Sequence, residues 1–248
     1  MDKLKRCSLS TRLYLGGKIL IITNLIMLLF SLYLVKDGGY IHKLKVKLGI
    51  IEKSVEPDYW AVKGWENTMK QLEYKADIAF FGNSITYYGR FQENFKGKKI
   101  VNLGYPGDNL EGMMRRIEAL KAVNPDKVFI MAGINGLKDM ELTMFCEKYE
   151  FLIDSVRRAL PNSHIYLQSI LPISGHLEKR YGSNEKIRFA NELIKKVANQ
   201  RLCTYIDLHR LYAVNGEMPD SLTKDGIHLH DEAYSRWYDA ERQYVYNN

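Results

Sequence analysis

Apolar positions follow two different rhythms along the chain. Residues 19–35 read ILIITNLIMLLFSLYLV, an unbroken run without a charge. From Ala76 onward, short apolar runs alternate with stretches of helical spacing. The short runs predict strands at 77–81, 99–103, 127–131, 164–170 and 204–208. Their near-continuous apolar character (IAFF, VFIMA, IYLQSIL) is how strands buried on both faces read. Helices are expected between them at 110–123, 142–160 and 184–202, with a last one at 232–246. A further helical pattern at 58–74 carries Trp60 and Trp65. Strand–helix alternation with right-handed crossovers predicts an α/β fold, a doubly wound five-stranded parallel sheet.

The amino-terminal run has a different destination. With residues 15–18 it reaches about 21 residues, enough to span a hydrocarbon core, because Lys18 can extend to the headgroups. A cleaved secretory signal needs small residues at its end, whereas this run closes on Tyr33-Leu34-Val35-Lys36-Asp37. The expectation is an uncleaved signal anchor. It divides the chain into a basic cytoplasmic tail (1–18), a transmembrane helix (19–35), a stalk (36–57) and a folded domain (58–248). Lys and Arg are nearly balanced across the run, so orientation rests on the short tail staying inside. That makes the protein a single-pass cell-membrane protein with its folded domain extracytoplasmic.

Composition changes this picture little. The formal net charge is +7, but the basic residues are dispersed, with some concentration around the apolar run. No zinc-finger spacing, RNP sequence or Gly-Lys-Ser/Thr phosphate loop occurs, so nucleic acid is not expected as a partner. Of the three cysteines, Cys7 precedes the apolar run and does not suit lipid attachment. Cys146 and Cys203 form no CxxC pair and read as buried free thiols.

In a parallel doubly wound sheet, chemistry belongs in the loops beyond the carboxyl ends of the strands. The first such loop is Gly82-Asn83-Ser84-Ile85-Thr86. A serine at the start of a helix after a buried strand exposes its hydroxyl where backbone N–H groups are unpaired. Thr86 stands where a G-x-S-x-G elbow would need glycine, and Ser84 taken alone could equally be a helix cap. The second loop holds Gly104, able to bring backbone close to a ligand or to offer an N–H. The third holds Asn135, whose amide is a further donor or a simple turn former. Near the end, Asp225-Gly226-Ile227-His228-Leu229 sets a carboxylate three residues from an imidazole. That spacing lets the aspartate orient the ring so that its other nitrogen takes a serine proton.

Taken together and in this order, the four blocks resemble the SGNH, or GDSL-like, hydrolase superfamily. The resemblance runs from Ala76 to about Tyr246 and rests on Gly82-Asn83-Ser84-Ile85-Thr86, Asn102-Leu103-Gly104, Gly133-Ile134-Asn135 and Asp225-Gly226-Ile227-His228-Leu229. It implies a flavodoxin-like three-layer αβα domain with Ser84 as nucleophile, His228 as general base and Asp225 as its orienter. It further implies an oxyanion hole from the Ser84 N–H, the Gly104 N–H and the Asn135 amide, with no cofactor and no metal. His230 falls outside the motif. Two positions depart from the family pattern: Asn83 stands for a usual aspartate, and Gly136 follows Asn135 where an aspartate is frequent.

The implied activity is that of a serine esterase on acyl, above all acetyl, esters of carbohydrate or small molecules. Tyr87, Tyr88, Arg90 and Tyr105 near the motif could stack on or bond to sugar rings, or could simply cover the helix–sheet seam. An O-acyltransferase on envelope polysaccharide, a lysophospholipase and a thioesterase share the same acyl-enzyme chemistry. A metal hydrolase built from Asp207, His209, Asp225, His228 and His230 would lack any local ligand motif.

Overall fold

The five apolar runs pair as strands of one parallel sheet. In the computed structural model they are β1 (Ile78–Gly82), β2 (Ile100–Gly104), β3 (Lys127–Met131), β4 (His164–Gln168) and β5 (Thr204–Ile206). Their order is β2-β1-β3-β4-β5. The structure describes residues 59–247, with Asn24 and Met27 also helical. Apart from those two residues, the expected span at 19–35 and stalk at 36–57 lie outside the described residues. Among the described residues no helix is long and apolar enough to cross a membrane. The chain divides into two units, Met1–Ser54 and Val55–Asn248, and the second carries the sheet.

The helices of this unit are α1 (Tyr59–Gln71), α2 (Ser84–Tyr87), α3 (Phe91–Asn94), α4 (Leu110–Arg115), α5 (Ile117–Val123), α6 (Leu142–Ala159), α7 (Glu178–Tyr181), α8 (Asn184–Gln200), α9 (His209–Tyr212) and α10 (Tyr234–Tyr246). Aromatic residues organise one sheet face. Phe80 on β1 pairs in register with Phe129 on β3, and Phe129 with Tyr166 on β4. Residues in register share a face, and these rings stack with centroids 4.8 and 4.5 Å apart. Phe91 stacks on Phe80 at 3.7 Å, and Trp237 and Tyr238 of α10 meet Phe91 edge-on. Such pairs add about 0.5–1.5 kcal/mol each beyond area burial, which fixes α10 over this face.

A second group of helices packs around α6, which is in contact with α4, α5 and α8. α6 turns Phe145, Tyr149, Leu152, Ile153 and Val156 inward, at the spacing of one helix face. α5 stops at Asn124, which takes the left-handed conformation (φ 36°) before Pro125.

Several expected elements are shortened or split, and three of these changes have a clear local reason. The helix foreseen at 110–123 breaks at Arg116, which has φ −105° and ψ 12° and sends its side chain under the sheet edge. β4 stops at Gln168 rather than 170, because the Asn191 side chain takes over both backbone groups of Ile170, at 2.8 and 2.9 Å. β5 ends at Ile206, where Leu208 N–H turns back onto the Ile206 carbonyl at 3.1 Å. Cys146 and Cys203 are free as expected, though half-buried rather than buried.

The strand order puts a topological switch at β1, with β2 on one side and β3 on the other. Beyond such a switch, the loops part and leave a crevice at the carboxyl ends of the strands. The loops after β1, β2 and β3 border it.

Candidate active site

Ser84 owes its position to the way α2 begins. The Asn83 side chain caps the helix, accepting the Ile85 N–H at 2.9 Å. Ser84 is therefore the first helical residue, and its own N–H has no acceptor within the helix. The short helix is tied down from outside. Asn102 Nδ2 donates to the carbonyls of Thr86 and Gly89, both at 2.9 Å, and Tyr234 donates its hydroxyl to Ile85 O at 2.6 Å. The departure at Asn83 thus keeps the capping oxygen an aspartate would supply.

The loop that faces Ser84 is held by its own backbone. Lys224 N–H and the Thr223 hydroxyl both donate to His228 O at 2.8 Å, and Thr223 Oγ1 accepts the Gly226 N–H at 2.9 Å. Gly226 has φ 93°, a conformation that favours glycine, and a Cβ there would press on the Leu177 and His176 side chains at 2.8 and 2.9 Å. The turn lets Asp225 use both oxygens. Oδ1 accepts the N–H groups of Ile227 (3.1 Å) and His228 (2.8 Å), and Oδ2 lies 2.6 Å from His228 Nδ1. His228 Nε2 lies 2.8 Å from Ser84 Oγ.

Partial burial pushes the Asp225 carboxyl up, but the His228 ring and the two backbone donors outweigh it and leave it below its ordinary value. An ionised Asp225 requires a donor at His228 Nδ1. That leaves Nε2 as the acceptor for the Ser84 proton, the arrangement a nucleophilic serine needs. Tyr88 meets the His228 ring edge-on at 5.5 Å. His230 stands apart from this relay: its N–H donates to Leu222 O at 3.0 Å. Of the other imagined ligands, Asp207 caps the α9 turn through Arg210 N–H at 3.2 Å. Among the described residues no three His, Cys, Asp or Glu side chains converge as a metal-binding group.

The donors expected opposite the serine separate into two cases. Asn135 spends one N–H on Asp108 O at 2.8 Å, and its amide nitrogen keeps a second. Gly136 after it takes φ 91° with no atom within 4 Å of a notional Cβ, so conformation, not space, favours glycine there. Gly104 does not meet its expectation as an oxyanion donor. Its N–H is committed to Asn102 Oδ1 at 2.9 Å, and its Cα faces the protein's own α2 rather than a ligand. The adjoining turn supplies a different donor. Asp108 N–H closes it onto Tyr105 O at 3.2 Å, with Pro106 second and Gly107 third at φ 76°, as a type II turn demands. Among the described residues the Gly107 N–H has no acceptor.

Two residues here carry no sequence signal of their own: Asp108 and Arg116. Asp108 and Arg116 are buried to 2% exposure each and form an ion pair. Asp108 closes the turn after β2 and Arg116 follows the end of α4, and only the tertiary fold shows that both point inward.

Comparison with known proteins points to one family. The sequence profile of the GDSL-like Lipase/Acylhydrolase family matches residues 80–236, a span that holds Ser84, Asn135, Asp225 and His228. A multidomain esterase of Ruminococcus flavefaciens is 26% identical over 169 residues, covering 65% of this chain and 21% of that protein. This chain therefore spans about a fifth of that esterase. A Streptococcus pneumonia protein, provisionally described as a platelet activating factor, superimposes with a TM-score of 0.72 at 25% identity, over 82% of this chain and 99% of its own. An acetyl-xylooligosaccharide esterase from Geobacillus Stearmophilus shares the fold, with a TM-score of 0.56 and 19% identity over 71% of this chain and 96% of its own. With a family match over more than half its length, this chain belongs to the GDSL-like lipase/acylhydrolase family.

Proposed function

We propose that this hydrolase is a serine esterase working through an acyl-enzyme on Ser84. The observation that carries the reading is the relay Asp225 Oδ2 to His228 Nδ1 (2.6 Å) and His228 Nε2 to Ser84 Oγ (2.8 Å). His228 takes the Ser84 hydroxyl proton as Oγ bonds to the acyl carbon, and Asp225 stabilises the imidazolium. The Ser84 and Gly107 N–H groups and the free Asn135 N–H receive the oxyanion. The same imidazolium then protonates the leaving alcohol, and a water molecule repeats the sequence to release the acid.

The substrate we infer is a short acyl, chiefly acetyl, ester of a carbohydrate. Tyr87 and Tyr88 beside the nucleophile are 52% and 53% exposed, as a stacking platform for a sugar ring would be. A cavity of about 510 Å³ adjoins the Asp225 loop and is lined by polar groups of Ser174, His176, Asn215, Glu217 and Asp220. Its Ser174 N–H donates to Gly226 O at 2.8 Å. We further propose that residues 19–35 anchor the enzyme at the cell membrane with its catalytic unit outside, on the strength of that uncharged run. The test of the chemistry is Ser84→Ala, which should abolish release of p-nitrophenol from its acetate while the protein still melts cooperatively. A fluorophosphonate should label the wild type at Ser84. Near-wild-type turnover by the alanine variant would refute the assignment.

A further inference from the structure

A single buried cation joins the three loops of this site. Arg116 Nη1 donates to Leu103 O at the end of β2 (3.0 Å), and Nη2 to Gly82 O at the end of β1 (3.2 Å). Its Nε donates to Asp108 Oδ2 at 2.8 Å, and Nη2 shares the same oxygen. The guanidinium also lies against the rings of Phe81 and Tyr105, 5.0 and 5.4 Å from their centroids. Asp108 in turn presents its backbone carbonyl to Asn135 Nδ2 at 2.8 Å. One planar fork therefore reaches the strand end that leads into Ser84, the neighbouring strand end, and the residue on which the Asn135 amide rests.

The pair is costly to bury, and its arrangement is not what stability alone would select. Asp108 Oδ1 is buried without any hydrogen-bond partner, and a buried ion pair is often no more stabilising than apolar residues of its size. The helix foreseen at 110–123 also breaks at Arg116, which places the guanidinium under the strand ends.

We infer that Arg116 and Asp108 are positioning residues for the oxyanion hole, setting the Asn135 amide and the Gly107–Asp108 backbone relative to Ser84. This rests on the roles proposed above for Ser84 and Asn135. Arg116 touches no substrate; it acts through Asp108, and Asp108 acts through its carbonyl on Asn135. Lysine at 116 would keep the charge but not the fork, so it could not serve both strand ends and Asp108 together.

The experiment is a double-mutant cycle on the full-length chain with p-nitrophenyl acetate. Arg116→Lys and the near-isosteric Asp108→Asn are each made alone and in an Asn135→Ala background, with thermal melts to verify folding. A displaced donor costs the transition state and not substrate binding, so each single variant should lose roughly 10–100-fold in kcat, with little change in KM. In the Asn135→Ala background the same substitutions should cost less than in the wild type, because one of the two groups they position is gone. Unchanged kcat in folded Arg116→Lys and Asp108→Asn, or losses that multiply fully with that of Asn135→Ala, would overturn the inference. Failure of both variants to fold would make the pair a structural requirement and overturn it as well. Unchanged kcat in Asn135→Ala alone would instead refute the oxyanion reading on which the inference stands.

Discussion

Gly104→Ala separates the two roles a glycine at the end of β2 could have. As a pure N–H donor to an oxyanion, Gly104 would tolerate a methyl group that leaves its backbone unchanged. Its surroundings say otherwise. A Cβ there would sit 2.2 Å from Tyr87 N, 2.5 Å from Tyr87 Cα and 2.7 Å from Thr86 C. All three are backbone atoms of α2, so no side chain can rotate away. Ordinary contact begins at 3.4 Å, so α2 and the strand end must separate by about 1 Å. Overpacking of this kind costs about 1–3 kcal/mol of stability. The larger consequence falls on catalysis, because α2 carries Ser84 at its first position and the Oγ–Nε2 contact is only 2.8 Å. A misplacement of about 1 Å can cost about 10²-fold in rate. Initial rates on p-nitrophenyl acetate and a thermal melt, measured on the same preparation, should show both losses. A variant with near-wild-type kcat and an unchanged melting temperature would refute the close-approach reading and return Gly104 to the list of donors.

Other perturbations test neighbouring parts of the site and fold. His228→Ala should lower kcat/KM roughly 10²–10⁴-fold, the range of a lost general base, with Asp225→Asn less severe and His230→Ala leaving kcat nearly intact; an inactive His230→Ala beside an active His228→Ala would reverse the assignment. Glu241 of α10 is wholly buried against the Gln168 amide, and burial pushes its carboxyl up to about 8. The folded state therefore holds a proton that the unfolded chain loses near the ordinary value of 4.5, so stability is full below that pH and declines as pH rises toward 8. Denaturant titrations should show that decline, at most about 1.4 kcal/mol per pH unit, and Glu241→Gln should flatten it; an unaltered slope in the variant would exclude Glu241 as its source. For the anchor, the full-length chain should stay with membranes after a carbonate wash, and release of a shortened mature form would show a cleaved signal instead.

The amino-acid sequence by itself determined the sheet and pointed to the side chains that the fold brings together around Ser84. Strands buried on both faces are written as continuous apolar runs, and IAFF, VFIMA and IYLQSIL became β1, β3 and β4 because period and burial are local properties of the chain. The Asp225–His228 relay was equally legible, since three residues of one turn suffice to set carboxylate against imidazole. What the tertiary structure decided depends on groups far apart in the chain. Gly104 lost its expected role because Asn102 claims its N–H and α2 packs against its Cα, neither of which a glycine in a sequence can announce. His228 rather than His230 meets Ser84 across 144 residues, a choice the motif suggested and the folded loop made. Arg116 and Asp108 read as ordinary polar positions, yet they lie buried beneath the loops after β1 and β2. A buried charge can be recognised only from what surrounds it, because the chain pays its desolvation only where another segment supplies the partners.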